Sequence, residues 1–305
     1  MSAAKEKTSV ALNSVAAAFF LTGMKVVVGL LSGSVGILAE AAHSGLDCAA
    51  ALMTLYAVHA SGKPPDKEHT YGHGKVETLS ALAEALLLLV TCLWIVNESI
   101  HRLRFPHEPV KATIWAFGVV MISIVVDISR SRMLYRAAAR HRSQALEADA
   151  LHFSTDIWSS GVVLVGLAGV KLGQWFPALA VLEKADAIAA LFVAAIVIAV
   201  SAKLGWRTIE GLLDSAPAGT AETIQKRVET LEGVCDCHAV RVRRAGPGYF
   251  VDLHVTLDGE QTLRAAHETA DRIEAAVREI LPDSDITVHP EPTPAIQPPT
   301  GTPSL

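Results

Sequence analysis

The sequence AEAAHSGLD at residues 39–47 recurs, in its polar positions, as ADALHFSTD at residues 148–156. Each copy has a carboxylate, a histidine three residues later and an aspartate four residues after that. Spacings of three and four place side chains on one face of an α-helix. Both copies lie at the start of or within long apolar runs, where an ionisable side chain is costly. The repeat therefore predicts two membrane helices that each carry a functional polar face.

Metal binding is the chemistry that this residue set favours, because two imidazoles and two carboxylates form a four-coordinate site for a divalent ion. The ligands in this interpretation are His43, Asp47, His152 and Asp156. For one copy alone, a polar stripe that joins two helices is the alternative. Two copies with the same spacing favour the metal site. Glu40 and Asp149 lie one turn before the histidines. Three roles are open for them: hydrogen-bond partners that orient the histidines, groups on the path by which metal enters, or solvated residues near a helix end.

Six apolar segments follow one another along the chain, each close to the roughly 20 residues that cross a bilayer. They cover residues 8–31, 34–60, 76–100, 112–129, 145–170 and 185–205. The first segment is too long for the apolar core of a signal peptide. Mean hydropathy is +0.36, which is high for a soluble protein. We therefore predict an α-helical membrane protein with six transmembrane helices within residues 8–207, after a short N-terminal tail at residues 1–7.

The distribution of lysine and arginine among the short loops predicts the orientation of these helices. One side carries Lys5, Lys7, Lys63, Lys67, Lys75, Arg130, Arg132, Arg136, Arg140, Arg142, Lys203 and Arg207. The other side carries Arg102, Arg104, Lys111, Lys171 and Lys184. We interpret residues 130–142 as a basic connector, and we place the more basic side, with both termini, in the cytoplasm. The net charge of −5 gives no indication of a nucleic-acid partner.

From about residue 208 the composition becomes that of a soluble domain. The expected elements are a helix at 220–232, strands at 234–244 and 249–257, a helix at 263–281 and a last strand at 285–289. Gly246-Pro247-Gly248 is a strong turn signal between the first two strands. The prediction is a small α/β domain of order αββαβ over residues 208–291, followed by a proline-rich, disordered cytoplasmic tail at residues 292–305.

Two further groups of potential ligands lie outside the apolar segments. Asp66, His69 and His73 share one loop, in which glycines on both sides of His73 allow a tight turn. These residues fit a metal site completed by water, or a solvated polar loop. The second group is in the soluble domain and consists of His238, His254, His267, His289 and Glu291. Its density favours a metal site, with one or two ions.

Cys235 and Cys237 lie on one face of the first soluble strand, and His238 lies on the other. They reach a metal only if the end of the strand bends. The sequence supports equally the alternative that they are simply small strand residues. With Cys48 and Cys92 in apolar runs, the four cysteines do not resemble a disulfide framework.

The two His-xxx-Asp pairs, the loop His69-Thr-Tyr-Gly-His73-Gly-Lys75, the six spans and the small α/β domain together resemble the cation diffusion facilitator (CDF) family. The likeness covers roughly residues 8–291 and is strongest to bacterial zinc and ferrous-iron efflux proteins. It implies a homodimer in the bacterial inner membrane, with metallochaperone-like cytoplasmic domains that pair across the dimer axis. It also implies exchange of cytoplasmic metal for protons by alternating access, in contact with membrane lipid.

The resemblance also assigns roles to individual residues. It makes His43, Asp47, His152 and Asp156 the transport site, and Asp66, His69 and His73 an interfacial loop site. It makes His238, His254, His267, His289 and Glu291 a cytoplasmic binuclear site, in which Glu291 stands where aspartate is common. It implies that Lys75 and Asp214 form a charge interlock at the junction of membrane and soluble domains.

Zinc is the metal favoured by two histidines and two aspartates, since imidazole suits zinc and added carboxylates suit harder ions. Some prokaryotic family members have aspartate in place of His43, and a broader exporter of iron, cadmium or manganese is the alternative within the family. Imidazole binds metal only when it is neutral, and its unperturbed pKa is near 6.5, so protons and metal compete. This competition favours proton antiport.

Two rivals come from other classes of protein. An intramembrane zinc hydrolase usually keeps one open metal position beside a general base, and here only Glu40 fits that base while His-Glu-x-x-His is missing from the sequence. The second rival is a metal sensor, in which the soluble domain signals and the spans only anchor it. Two ligand sets within the spans argue against this interpretation. We therefore expect a transporter rather than an enzyme.

Overall fold

The computed structural model describes residues 3–33, 35–104, 114–175 and 182–293. The chain divides into two compact units, Met1–Leu212 and Leu213–Leu305. The first unit contains the six predicted helices, which are α1 (Ala3–Ser32), α2 (Val35–Ser61), α3 (Lys75–Arg104), α4 (Ile114–His141), α5 (Gln144–Trp175) and α6 (Leu182–Leu212). The sixth helix therefore runs past the composition change near residue 208.

Residues 130–141 are helical, so the interpretation of residues 130–142 as a connector is wrong for all but the last residue. Arginine, alanine, leucine and methionine dominate this stretch, and all are strong helix formers that extend α4 beyond its apolar part. The helix ends where Arg142 adopts a left-handed φ of 50°. Ser143 alone then separates Arg142 from α5.

By length and composition, three helical stretches can cross a membrane among the described residues: Ala3–Ser32, Lys75–His101 and Ala190–Leu212. They belong to α1, α3 and α6. Ionisable residues within apolar runs include Asp47 on α2, Glu84 on α3, Asp127 and Arg130 on α4, and Asp149 and Asp156 on α5. Such residues are therefore found both on helices that meet this criterion and on helices that do not.

Small residues let the helices approach closely. α1 packs mainly on α2, α3 on α6 and α4 on α5, and α2 also touches α5. One core cluster consists of Ala11, Ala57, Val58, Leu134, Ala137, Ala138, Ala145, Leu146, Ala150 and Phe153. Alanine-rich contacts of this kind are typical of membrane helix pairs, because lipid supplies no hydrophobic driving force between helices.

The second unit has the predicted order αββαβ. Its elements are α7 (Thr220–Glu229), β1 (Asp236–Ala245), β2 (Gly248–Leu257), α8 (Leu263–Ile280) and β3 (Ser284–Pro292). β2 is central, antiparallel to β1 and parallel to β3. The side chain of Thr262 accepts a hydrogen bond from the Ala265 N–H and so caps α8. Gly246, with φ of 62°, supplies the left-handed turn between β1 and β2.

The core of this unit lies on one face of the sheet. Alternate residues of β2, including Val251 and Leu253, are fully buried and cluster with Ile224 of α7 and with Ile273 and Val277 of α8. The period of two in a strand then directs His254 to the opposite face. In the register of the sheet, His254 pairs with His238 of β1 and with His289 of β3. The sheet therefore aligns three histidines in one row.

Candidate metal sites

The central site of the first unit joins α2 to α5. His152 Nε2 on α5 lies 3.1 Å from Asp47 Oδ1 on α2 and 3.7 Å from Asp156 Oδ2 one turn along its own helix. Asp47, His152 and Asp156 offer ligand atoms that all lie within 4.8 Å of one another. This geometry can hold a metal ion between the helices.

His43 lies at the open side of this site. Its Nε2 is 3.9 Å from Asp47 Oδ1, and its side chain is 35% exposed, against 4% for His152. It lines a cavity of about 60 Å³ together with Asp47 and Asp156. The structure therefore brings three of the four predicted ligands together and leaves the fourth close by.

The two carboxylates that precede the histidines have different surroundings. Glu40 Oε2 accepts a hydrogen bond from Lys25 Nζ at 3.3 Å, and Lys25 also donates to Ser44 Oγ at 2.7 Å. Asp149 is fully buried and accepts a hydrogen bond from Ser14 Oγ at 2.9 Å. Burial rules out the solvated alternative for Asp149. Glu40, half exposed, is an ion-pair partner beside the cavity.

Three further ionisable residues of this region lie outside the repeat and were not among the predicted site residues. Asp127 of α4 is buried and lines the same cavity as His43. Arg130, assigned to the connector, lies 3.3 Å over the Phe153 ring and donates to Ser14 Oγ. Glu84 of α3 is fully buried and accepts a hydrogen bond from Thr54. The available signal was a lone charge within an apolar run, which usually marks function in a membrane helix.

The loop between α2 and α3 forms a second group of ligands. Asp66 Oδ1 lies 3.4 Å from His69 Nδ1, and Asp66 Oδ2 lies 3.4 Å from His73 Nε2. The backbone N–H groups of His69 and Glu68 donate to Asp66 Oδ1 at 2.7 and 2.9 Å, and these bonds lower the pKa of the Asp66 carboxyl. Gly72 has φ of 78°, so the turn requires a residue that tolerates left-handed backbone. The three predicted side chains converge here.

The exposed face of the sheet in the second unit forms the third group. Glu291 Oε1 lies 2.8 Å from His254 Nδ1, and Glu291 Oε2 lies 3.4 Å from His238 Nε2. His289 Nε2 is 3.9 Å from Glu291 Oε1. The hydrogen bond from His254, followed by the charges of the three histidines, lowers the pKa of Glu291. Asp236 Oδ2, which sequence analysis missed, lies 2.8 Å from His238 Nδ1.

His267, Cys235 and Cys237, which the sequence predicts at or near this site, lie outside the group. His267 is exposed on α8 and is not part of the group formed by His238, His254 and Glu291. Cys237 is fully buried among apolar residues, which raises the pKa of its thiol to about 11. Cys235 is exposed just before β1. The strand parity that separates Cys237 from His238 is thus retained, whereas Cys235 precedes the strand and does not share the buried face of Cys237.

The predicted interlock pairs residues of the two units. Lys75 is the first residue of α3, and Asp214 lies two residues after α6 with φ of 60°. Their pairing stays a prediction.

Comparison with known families agrees with this architecture. Residues 11–213 match the family model "Cation efflux transmembrane domain", and residues 216–293 match "Cation efflux protein, cytoplasmic domain". The chain belongs to the cation diffusion facilitator family. The resemblance inferred from the motifs is therefore confirmed, as is the six-helix fold with a small α/β domain.

Curated relatives of this CDF protein align along almost its whole length. A cation-efflux pump FieF from Pectobacterium atrosepticum is 31% identical over 95% of this chain and 94% of its own. The FieF of Yersinia enterocolitica is 32% identical over 93% of this chain and 92% of its own. A solved structure of CzrB is 28% identical, covers 26% of this chain and 98% of its own, and has a TM-score of 0.25. The chain is a membrane transporter that exports cations, not an enzyme.

Proposed function

We propose that this CDF protein exports divalent metal, with zinc preferred, in exchange for protons. The transport site consists of His43, Asp47, His152 and Asp156 and holds one tetrahedral ion. Alternating access opens this site first to the cytoplasm and then to the outside. A broader exporter of iron, cadmium or manganese is the second candidate, because the relatives named FieF are cation-efflux pumps without a stated metal.

The observation that carries the proposal is the approach of Asp47 to His152 across the α2–α5 contact. Two of the predicted ligands on different helices are 3.1 Å apart, and Asp156 is within 3.7 Å of the same imidazole. Two carboxylates balance the charge of a divalent cation in a medium where an uncompensated charge is costly. This group therefore offers the oxygen and nitrogen donors that zinc accepts, and the group in the loop offers the same types of donor.

Proton coupling follows from the chemistry of the ligands. A metal ion displaces the proton of an imidazole, and a proton displaces the metal. When the site opens outward, protonation of His43 and His152 lowers its affinity and releases the ion. The return step then carries the protons inward.

The preference for zinc rests on the balance of the ligand set. Two imidazoles and two carboxylates form a softer set than one imidazole and three carboxylates, which suits harder ions such as manganese. The small cavity beside His43 and the burial of His152 favour a low coordination number.

The second unit is proposed to be a cytoplasmic regulatory domain, and both termini are assigned to the cytoplasm of a bacterium with the helices in its inner membrane. His238, His254, His289 and Glu291 bind metal there, with His267 as a further ligand or second-shell group. Two chains form a homodimer, which metal at this site tightens. The loop residues Asp66, His69 and His73 bind a further ion at the membrane surface.

Flux in proteoliposomes tests the transport site. The variant Asp47→Ala removes one anionic ligand, so zinc flux should fall to the level of empty vesicles. The matched control Asp271→Ala removes an exposed carboxylate of α8 and should transport normally. Full activity of correctly folded Asp47→Ala would remove the site.

A further inference from the structure

α4 carries exposed arginines at every fourth position beyond its apolar part. Arg132, Arg136 and Arg140 are four residues apart, so they follow one face of the helix over a rise of about 12 Å. Together with Glu6 and Val10 of α1, they line a groove of about 630 Å³. This groove is separate from the three groups of potential metal ligands.

The groove carries uncompensated positive charge. Its only lining carboxylate, among the described residues, is Glu6, which Arg140 Nη1 contacts at 2.6 Å and His141 Nε2 at 3.3 Å. Within the described part of the chain, Arg132 and Arg136 form no ion pair. Two guanidinium groups therefore remain available for an anion from outside the protein.

The opposite end of the groove is apolar. Val125 and Ile128 continue the arginine face toward the membrane part of α4, and Val10 lies across from them on α1. Val125 is 62% exposed. The arginines thus begin where the apolar run of α4 ends, which is the position of a lipid headgroup at a membrane interface.

A ligand for this groove combines negative charge with hydrocarbon. The planar guanidinium binds phosphate oxygens in a bidentate manner, and it is less strongly hydrated than an ammonium group. Basic clusters beside a membrane helix are typical of sites for anionic phospholipids. A free phosphate ion satisfies the arginines but leaves Val10, Val125 and Ile128 without a partner.

We propose that this groove binds one anionic phospholipid. The phosphate lies between Arg132 and Arg136, next to the ion pair of Arg140 and Glu6. An acyl chain lies along Val10, Val125 and Ile128. The bound lipid fills the gap between α1 and α4 at the interface nearest the N-terminus of α1.

Native mass spectrometry of the full chain in detergent tests this proposal. The protein is titrated with dioleoylphosphatidylglycerol, with dioleoylphosphatidylcholine and with inorganic phosphate. The double variant Arg132→Gln/Arg136→Gln should bind phosphatidylglycerol at least about tenfold more weakly, because the phosphate loses both of its guanidinium partners. The variant Arg132→Lys/Arg136→Lys keeps both charges but loses the bidentate geometry, so its affinity should lie between those of the unmodified protein and the glutamine variant.

The matched control is Arg241→Gln/Arg264→Gln, which removes the same charge from the second unit and should bind like the unmodified protein. Equal affinity for the choline and glycerol lipids would overturn the proposal, as would unchanged binding in the Arg132→Gln/Arg136→Gln variant. Inorganic phosphate that displaces the glycerol lipid at equal concentration would show a free-anion site instead of a lipid site. Thermal unfolding without lipid checks that each variant is folded.

Discussion

His152 Nε2 on α5 lies 3.1 Å from Asp47 Oδ1 on α2, and this pair connects the two copies of the repeated sequence. One imidazole is thus shared between a carboxylate of its own helix, Asp156, and a carboxylate of the other repeat. A displacement of α2 against α5 changes the distance between these predicted ligands directly. The proposed transport by alternating access needs such a dependence of metal affinity on helix position.

Metal preference should depend on His43. In the variant His43→Asp the site keeps four ligands but becomes harder and more negative, so the protein should remain active and gain cadmium, iron or manganese transport relative to zinc. Parallel flux assays with these metals measure the change. His59→Asp makes the same substitution at an exposed position of α2 and should leave the ranking unchanged. If His43→Asp is active with an unaltered ranking, His43 does not set selectivity.

Zinc should stabilise the second unit when it is produced alone as residues 213–305. Zinc at 100 times its Kd adds about 2.7 kcal/mol to the free energy of unfolding, or roughly 10–20 °C in Tm for a domain of this size. Calorimetry with and without zinc measures the shift. Glu291→Ala should abolish it, whereas Glu268→Gln, on the exposed face of α8, should keep it. A Tm of the unmodified fragment that is indifferent to zinc would remove this site.

The carboxyl of Glu291 should titrate below its ordinary pKa of 4.5 in the metal-free fragment, because His254 donates a hydrogen bond to its ionised form. Its folded pKa is lower than its unfolded pKa, so its contribution to stability is present above pH 4.5 and is lost as the pH falls through the folded value. Carbon-13 NMR of the carboxyl measures the titration. His254→Gln should raise the pKa. A midpoint at or above 4.5 in the unmodified fragment would contradict the hydrogen bond.

The predicted interlock of Lys75 and Asp214 can be tested by reversing the charges. Lys75→Asp should reduce transport, and Lys75→Asp/Asp214→Lys should restore part of it. An exposed ion pair contributes only about 0–1 kcal/mol and a partly buried network contributes more, so partial rescue is expected. The control Lys75→Asp/Asp258→Lys has the same net charge without the pairing. Rescue no better than this control would show that the two residues do not interact.

Several parts of this structure could be predicted from the sequence because local spacing determines them. The offsets of three and four within each repeat place a histidine and an aspartate on one helix face, whatever the helix packs against. The period of two in β1 likewise separates Cys237 from His238. The same period places Asp236 beside His238, so that contact was available to sequence analysis and was overlooked.

Other contacts depend on which helix faces which, and sequence spacing carries little information about this. Asp127 reaches the cavity only because α4 packs on α5, and Arg130 reaches Ser14 because α4 also packs on α1. The basic stretch after Asp127 indicated a loop by its charge, although its arginines have long aliphatic stems and favour helix. Charge at a membrane interface thus does not distinguish a loop from the exposed end of a helix.

Coupling of zinc flux to a proton gradient is the central claim, and vesicles with an imposed pH gradient test it most directly. Purified protein is reconstituted into vesicles, and zinc entry is recorded with an internal indicator while potassium and valinomycin hold the membrane potential constant. Collapse of the proton gradient should reduce zinc flux to the level of Asp47→Ala vesicles, because His43 and His152 must lose protons to bind zinc and gain them to release it. Zinc flux that continues unchanged after the gradient has collapsed would contradict proton antiport.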